Sequence, residues 1–580
     1  MKQAWSRTVF ASLLATKIAL GCGLVTPLED LPISRGGNGP ATAGSSGATG
    51  ASGEAGLNPV GGAAGSASGG APATAGGRPV STGSGGVEPA AAGAPGQGGD
   101  GTCSHSACGE NARCIYGECV DLLSQHCQQI LGSRYLKDDS TILIGGFAPF
   151  NSPGPLLESV RAAYEIVLYE LNVVNGGLRG GVDTEPNRVA MILCDNHSSR
   201  VPATLAHLLD RVQVPAILAH LAPFDLTAAF DNNKDKALFV SPLSGSRALQ
   251  ARSEGKVWTM LGIPTNYVEI YQALVARIAR KLEQQLADNP RPMRFAAVRD
   301  AEVEFQVELA NSVIPQLELN GEKLATRTDF FDAALLDQTS AGVENFTDKL
   351  AEFDPDVVLS FADVLFTEPD KGVAALLERS RRKPIYVLNP QNAERGAELD
   401  ILIDRADRAD NSTPNAPRFL GVAPAGPDGK DKNTYLLEHL RVWTTQVDED
   451  VDNFYEAMSF LVYALYASGP RAALRDGTFS VDRLAAGMRR VTDHSARNRF
   501  PMEDASHILI ALNGNTNIAL IGPRGIPEFD EIGMRVERGS VFCFSPGGSG
   551  IKRDVLRFDA ATSRLISAAN PPCLWGFLDD

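Results

Sequence analysis

Serine, histidine and carboxylate side chains gather in four short stretches of this chain: APFNSPG from Ala148, DNHSS from Asp195, HLAPFD from His220 and SPLSGS from Ser241. Such groups can cap helices, hold a small polar molecule by hydrogen bonds or, with the right partner, serve as nucleophile and base. The spacing does not favour bond-making chemistry. Ser, His and Asp are all present, but no G-x-S-x-G elbow occurs. Gly-rich runs such as GGNG fall in a low-complexity segment, so no phosphate loop is formed. His197 follows Asp195 and Asn196 and reads as a surface loop residue that could line a cleft mouth. Glu302 and Glu304 are separated by one residue and need not share a site. Without a coherent nucleophile–base pair or ligand set for a metal, an exported enzyme is the remote reading, and no cofactor is expected.

The elements around these stretches give them a common address. TILIGGFAPF, RVAMILCDN, VPAILAHL and ALFVSPLSGS read as strands, and LLESVRAAYEIVLYELNVVNGG, ATLAHLLDRV and LTAAFDNNKDK as the helices between them. Alternation at this spacing makes right-handed crossovers and a parallel sheet. All four polar stretches then lie at carboxyl ends of strands, where such sheets hold ligands. After Trp258 the pattern restarts. NYVEIYQALVARIARKLEQQL, FQVELANSVIPQL, VENFTDKLAEF and GVAALLERSRR read as helices, and MRFAAVRD, TRTDF, DVVLSFAD and PIYVLNP as strands. An irregular, charged crossing follows, AERGAELDILIDRADRADNSTPNAP, and then a strand-like return, RFLGVAP. The long apolar-faced helix DNFYEAMSFLVYALYASG, the helix VDRLAAGMRRV and a turn-rich ALIGPRGIPEFDEIG close the pattern.

Residues 1–22 read as an export signal. Lys2 and Arg7 precede the apolar run VFASLLATKIAL, and the segment ends in IALGC. It resembles a bacterial lipoprotein cleavage site, which implies that Cys22 becomes the lipidated first residue, although Ala19 stands where that pattern usually has Leu. Residues 23–102 are the expected tether. From Gly36 onward the composition is Gly, Ala, Ser, Pro and Thr, too poor in apolar groups to offset chain entropy. A coil of about 65 such residues reaches roughly 45 Å.

The chain has 9 Cys, and setting Cys22 aside leaves an even number. Cys103, Cys108, Cys114 and Cys119 form a compact group within 103–127 that reads as a small two-disulfide module similar to a truncated EGF-like unit. Sequence leaves the connectivity open; alternate pairing, Cys103 with Cys114 and Cys108 with Cys119, is the expectation. Cys127 and Cys194 could tie the lead-in to the second strand, and Cys543 and Cys573 could close the C-terminal segment. A zinc site with His105 and His126 is the weaker alternative, because the spacing matches no common zinc motif. Residues 128–580 exceed one ordinary core and are expected to fold without the module. Net charge is -16 and pI about 5.1, with no basic stripe, which excludes nucleic acid as a natural partner.

Read in order, IGGFAPF, the helix ending in LNVVNGGL, the Asp195 turn, ILAHL, FVSPLSGSRAL, DPDVVLSFAD, DNFYEAM and GPRGIPEFDEIG resemble the type 1 periplasmic binding proteins, in particular the leucine/branched-chain amino-acid-binding group and related receptor ligand-binding regions. The resemblance implies an α/β fold of two doubly wound parallel-sheet lobes joined by a three-strand hinge. Its boundaries would be 140–264 for lobe 1, 265–417 for lobe 2, 418–520 for the return to lobe 1, and 521–580 for the hinge crossing and tail. It places ligand contacts on Ser244, Gly245 and Ser246, with Phe224 and Phe305 as apolar walls and Asp363 and Gln391 in the second lobe. The chain departs from the amino-acid-binding pattern. Pro223 stands where a serine is usual, Gln391 where an acid faces the ligand ammonium, and Phe305 where the ring carries a hydroxyl. A simple α-amino acid is therefore not the expected ligand.

The implied function is non-catalytic capture of a small polar ligand between closing lobes. The ligand is amino-acid-like or another small polar or organic compound, delivered to an ABC-type transporter and its membrane permease. The alternative is a tethered sensor that signals to a partner protein. Either reading places the protein outside the cytoplasm, as a periplasmic or cell-surface lipoprotein held to the membrane by lipid only.

Overall fold

The computed structural model describes residues 103–150, 155–178, 186–288, 290–301, 303–337, 339–363, 365, 370–395, 399–403, 418–425, 451–469, 480–523, 525–536, 538–544, 551–559 and 562–567. Cys22, the tether and Cys573 lie outside them.

A hairpin of β1 (Ala112–Ile115) and β2 (Glu118–Asp121) opens the structure. It carries the disulfides Cys103–Cys114 and Cys108–Cys119. The one cluster of metal-ligand type among the described residues, Cys103, Cys108 and Cys119, is made of these same bonded sulfurs. The hairpin and the body hold each other through cations on carbonyls. Lys137 Nζ donates to the carbonyls of Cys108 at 2.9 Å and Gly109 at 2.6 Å, and buried Arg113 donates to the carbonyl of Thr141 at 2.5 Å. Leu122 is fully buried in the body's core, and its carbonyl lies 3.0 Å from His207 Nε2. A chain cut at residue 128, inside the strand Cys127–Leu131, would lack the Leu122 core side chain as well as Cys127.

The first sheet has β3 (Cys127–Leu131), β4 (Ile142–Ala148), β5 (Val189–Asp195), β6 (Ala216–Leu218), β7 (Leu238–Ser244) and β8 (Val257–Leu261) in the order β3-β5-β4-β6-β7-β8. All neighbours are parallel except β3, which runs antiparallel to β5 and is bonded to it through Cys127–Cys194. ILIGGFA and VAMILCD are buried at every position, the pattern of strands covered on both faces. The connecting helices are α1 (Pro155–Tyr169), α2 (Val201–Leu205), α3 (Pro223–Asn233) and α4 (Arg247–Gln250). Pro223 opens α3, where a missing N–H costs nothing and a fixed φ suits the first turn.

The second lobe contains α5 (Val268–Gln285), β9 (Phe295–Asp300), α6 (Glu304–Val313), a small β10–β11 hairpin (Glu318–Leu319, Glu322–Lys323), β12 (Phe330–Leu335), α7 (Ser340–Phe353), β13 (Val357–Ser360), α8 (Val373–Arg379), β14 (Ile385–Leu388) and β15 (Phe419–Pro424). In α5, Ile270, Tyr271, Leu274, Val275, Ile278 and Leu282 are buried at helical spacing. The chain then returns to lobe 1 as α9 (Val451–Ala467), α10 (Val481–Val491), β16 (Arg499–Pro501), α11 (Ala505–Asn513) and β17 (Ala519–Ile521). The last described strands, β18 (Gly539–Phe544), β19 (Ile551–Asp559) and β20 (Arg564–Ser567), lie in lobe 2. The second sheet reads β12-β9-β13-β14-β15-β18-β19-β20, parallel as far as β15 and antiparallel beyond it.

These are the two doubly wound lobes the resemblance implies, with two local differences. RFLGVAP was expected to begin the return to lobe 1, but β15 pairs with β14 and β18, so it completes lobe 2 and the return comes later. TRTDF was expected as a strand, but Arg327 turns back onto Asp329 at 2.7 Å, and β12 starts only at Phe330. Each sheet buries both faces. Lobe 1 packs α1, α9, α10 and α11 on one face and α2 and α3 on the other. No helix of the described residues is long and apolar enough to cross a membrane.

Candidate functional site

Strand order locates the site before any side chain is considered. In the first sheet β4 lies between β5 and β6, and in the second β9 lies between β12 and β13. Each is a point where the winding reverses, and the crevice outside the carboxyl ends there takes ligands in open α/β sheets. Those ends carry His220 after β6 in lobe 1, and Asp300 at the end of β9 and Asp363 after β13 in lobe 2. The lobes touch beside this crevice: the Arg247 backbone N–H, on α4, donates to Glu308 Oε1, on α6, at 2.8 Å. A groove of about 920 Å³ between α5 and β20 lies away from both sets of strand ends; Arg280 and Lys281 are mixed there with Glu269 and Glu283.

Lobe 2 presents a buried polar lattice. Gln306 Nε2 donates to Asp363 Oδ2 at 2.7 Å and to Gln391 Oε1 at 2.8 Å. Asn389 and Asn392 donate their side-chain amides to Asp363 Oδ1 at 3.0 and 2.7 Å. Asp363 and Gln391 are thus together, and Asp363 is a hub rather than a free loop acid. Gln306 is 1% exposed, yet its Oε1 has no partner among the described residues. Gln306, Asn389 and Asn392 were not foreseen, because what joins them is pairing over long sequence separations.

In lobe 1 the residues separate by role. Ser246 accepts from the Leu249 N–H at 3.1 Å and lies 3.2 Å from Thr227 Oγ1, so its hydroxyl caps α4. A Cβ at Gly245 would stand 2.9 Å from Met534 Sδ, so close packing against Met534 occupies that space. Ser244 ends β7, and its side chain lies outside the described part. Phe224 is 68% exposed on the first turn of α3, whereas Phe305 is buried in the lobe 2 core beside Leu309. His197 is exposed, with Nδ1 2.9 Å from Ser199 Oγ, and Asp195 pairs with Arg200.

Three rings meet in the lobe 1 core behind the end of β6. His220 packs edge-on against Phe454 with centroids 4.8 Å apart, and Tyr164 meets the same Phe454 ring at 6.2 Å. Burial pushes the His220 imidazole down to about 4, so it is neutral. His220 opens HLAPFD, placed at a strand end with no role given to its imidazole; a polar residue closing the apolar run VPAILA is the available signal.

The mouth is acidic. Asp225 on α3 accepts from Ser198 Oγ at 2.5 Å. Burial raises the pKa of Glu304 on α6, and the charges of Glu308 and of Asp225 from the other lobe add to it. Burial likewise raises that of Glu308, opposed by the Arg247 backbone hydrogen bond and charge. The Asp225 charge reaches Glu304 across the two lobes; that repulsion is absent while Glu304 is protonated, below the ordinary carboxylate pKa of 4.5, and opposes the meeting of the lobes as pH rises through the raised value. Small-angle scattering without ligand should therefore show a more compact particle at pH 5 than at pH 8, and Glu304→Gln should reduce the difference. Equal dimensions at both pH values would contradict this.

No family model matches the sequence, and no curated protein matches it. Solved structures similar to the chain include a solute binding protein of an ABC transporter from R. palustris in complex with benzoate, at 12% identity over 75% of this chain and 99% of that one, with a TM-score of 0.44. An ABC transporter substrate-binding protein from Desulfitobacterium hafniense in complex with Leu is 16% identical over 71% of this chain and 99% of that one, with a TM-score of 0.44. A leucine binding protein from Thermotoga maritima is 15% identical over 71% and 97%, with a TM-score of 0.43. At these values none of them bears on which ligand this chain holds.

Proposed function

We propose that the protein is a non-catalytic, exported binding protein that captures a small polar ligand between its two lobes. The observation that carries this reading is the meeting of the two lobes beside a crevice formed by both winding reversals, with Arg247 and Glu308 in direct contact. The polar groups there form a recognition lattice: amides surround Asp363, and no nucleophile–base pair is set up among the described site residues. Delivery to a permease is the reading preferred over signalling. Disulfides in both the hairpin and lobe 1 suit an oxidising compartment. We further propose that Cys22 is the lipidated mature N-terminus and that 23–102 is the tether.

The direct test is a thermal-shift screen of the full chain against amino acids, amides, short peptides and organic acids. A ligand at 100-fold its Kd adds about 2.7 kcal/mol. A ligand that stabilises the protein and is recovered unchanged supports the reading, and turnover of any of them refutes it. Mass spectrometry of the protein made in a lipoprotein-competent bacterium tests Cys22; an unmodified N-terminus at another residue rules lipidation out.

A further inference from the structure

We propose that His220 and Tyr164 form the lobe 1 subsite for an uncharged hydrogen-bonding group of the ligand, an alcohol or amide set beside an apolar portion, in preference to a carboxylate or ammonium. The inference rests on the binding reading above and adds the ligand's chemical class. His220 follows β6, at the winding reversal of the first sheet, and its carbonyl accepts from Asn196 Nδ2 at 3.3 Å, which fixes it among the strand ends. The ring is 8% exposed and Tyr164 is fully buried. Nevertheless His220 Nδ1 and the Tyr164 hydroxyl both lack a hydrogen-bond partner among the described residues. Both rings touch Phe454, at 6.2 Å for Tyr164 and 4.8 Å for His220 between centroids. Buried polar atoms in native proteins are almost always satisfied, so two against one ring point to a partner that arrives from outside.

The charge balance selects that partner. Neither His220 nor Tyr164 has a charged side chain in hydrogen-bond contact among the described residues. An ion placed there would be buried without a counter-charge, the costly arrangement. The carboxylates Asp225, Glu304 and Glu308 at the mouth weigh further against an anion. A neutral oxygen or amide satisfies an imidazole nitrogen and a phenol hydroxyl without that penalty, and the Phe454 edge supplies an apolar wall.

The test is calorimetric titration of the full chain at pH 7 with four probes that share a phenyl ring: benzyl alcohol, benzamide, benzoate and benzylamine. The wild type is compared with Tyr164→Phe and His220→Phe. The expected result is that at least one neutral probe binds tenfold or more tighter than either ion, and that each substitution weakens it about tenfold. The Tm of ligand-free Tyr164→Phe should be no lower than that of the wild type, because only an unsatisfied hydroxyl is removed. Tighter binding of benzoate or benzylamine, binding indifferent to both substitutions, or no binding of any probe would overturn the inference. Capture of some other small molecule unaffected by either substitution would leave the binding reading standing and sink this one alone.

Discussion

Replacing Glu456 with Ala should destabilise the protein by about 3–5 kcal/mol, the loss found when one partner of a buried ion pair is removed. Glu456 is 0% exposed on α9, and Arg535 is 6% exposed on the segment that crosses to β18. They meet at 2.7 Å, and the same Arg535 nitrogen donates to the carbonyl of Met260 at the end of β8 at 3.0 Å. The pair therefore joins a lobe 1 helix to β8 and to the segment that leads into β18. Ala at 456 leaves the guanidinium buried with one carbonyl for company. Replacing both residues with Met should cost much less than Glu456→Ala alone, since two apolar side chains need no counter-charge. Chemical denaturation of the three proteins decides it. A single-variant loss below about 1 kcal/mol would mean that water reaches the pair.

The second large effect is expected at Cys127–Cys194, which closes a loop with a sequence separation of 67. In the chain-entropy description, removing a cross-link of this span costs about 4 kcal/mol. It should exceed the effect of opening Cys103–Cys114, whose separation is 11. The double Ser variant of Cys127 and Cys194 should still bind ligand where it remains folded, because the bond lies at the edge of the sheet and the winding reversal between β4 and β6 is elsewhere. A double variant as stable as the wild type would show that β3 is held by its ladder alone.

Much of the fold was legible because its central strands are buried on both faces and read as continuous apolar runs, with amphipathic helices such as α5 between them. What sequence could not supply was long-range pairing. RFLGVAP announces a strand, but nothing in it states which of two sheets it joins. For the candidate site, the strand-end stretches were legible and the part each side chain plays in the structure was less so. The stretches at the strand ends were visible, yet Ser246 spends its hydroxyl on a helix cap and Phe305 turns into the core. The spacing of Phe305 and Leu309, one helical turn apart, carried that signal. The lattice of Gln306, Asp363, Asn389 and Gln391 joins residues from three separate elements, and no local pattern reports such a meeting. His220 and Tyr164 were missed because an unsatisfied buried group has meaning only once burial and partners are known.

The most direct test of the central claim is native mass spectrometry of the full chain after incubation with a small-molecule extract and removal of excess. Binding between two closing lobes predicts one small molecule per chain, released chemically unchanged on denaturation and no longer retained after Gln306→Ala. No retained molecule from any extract, or release of a chemically altered product, would contradict it.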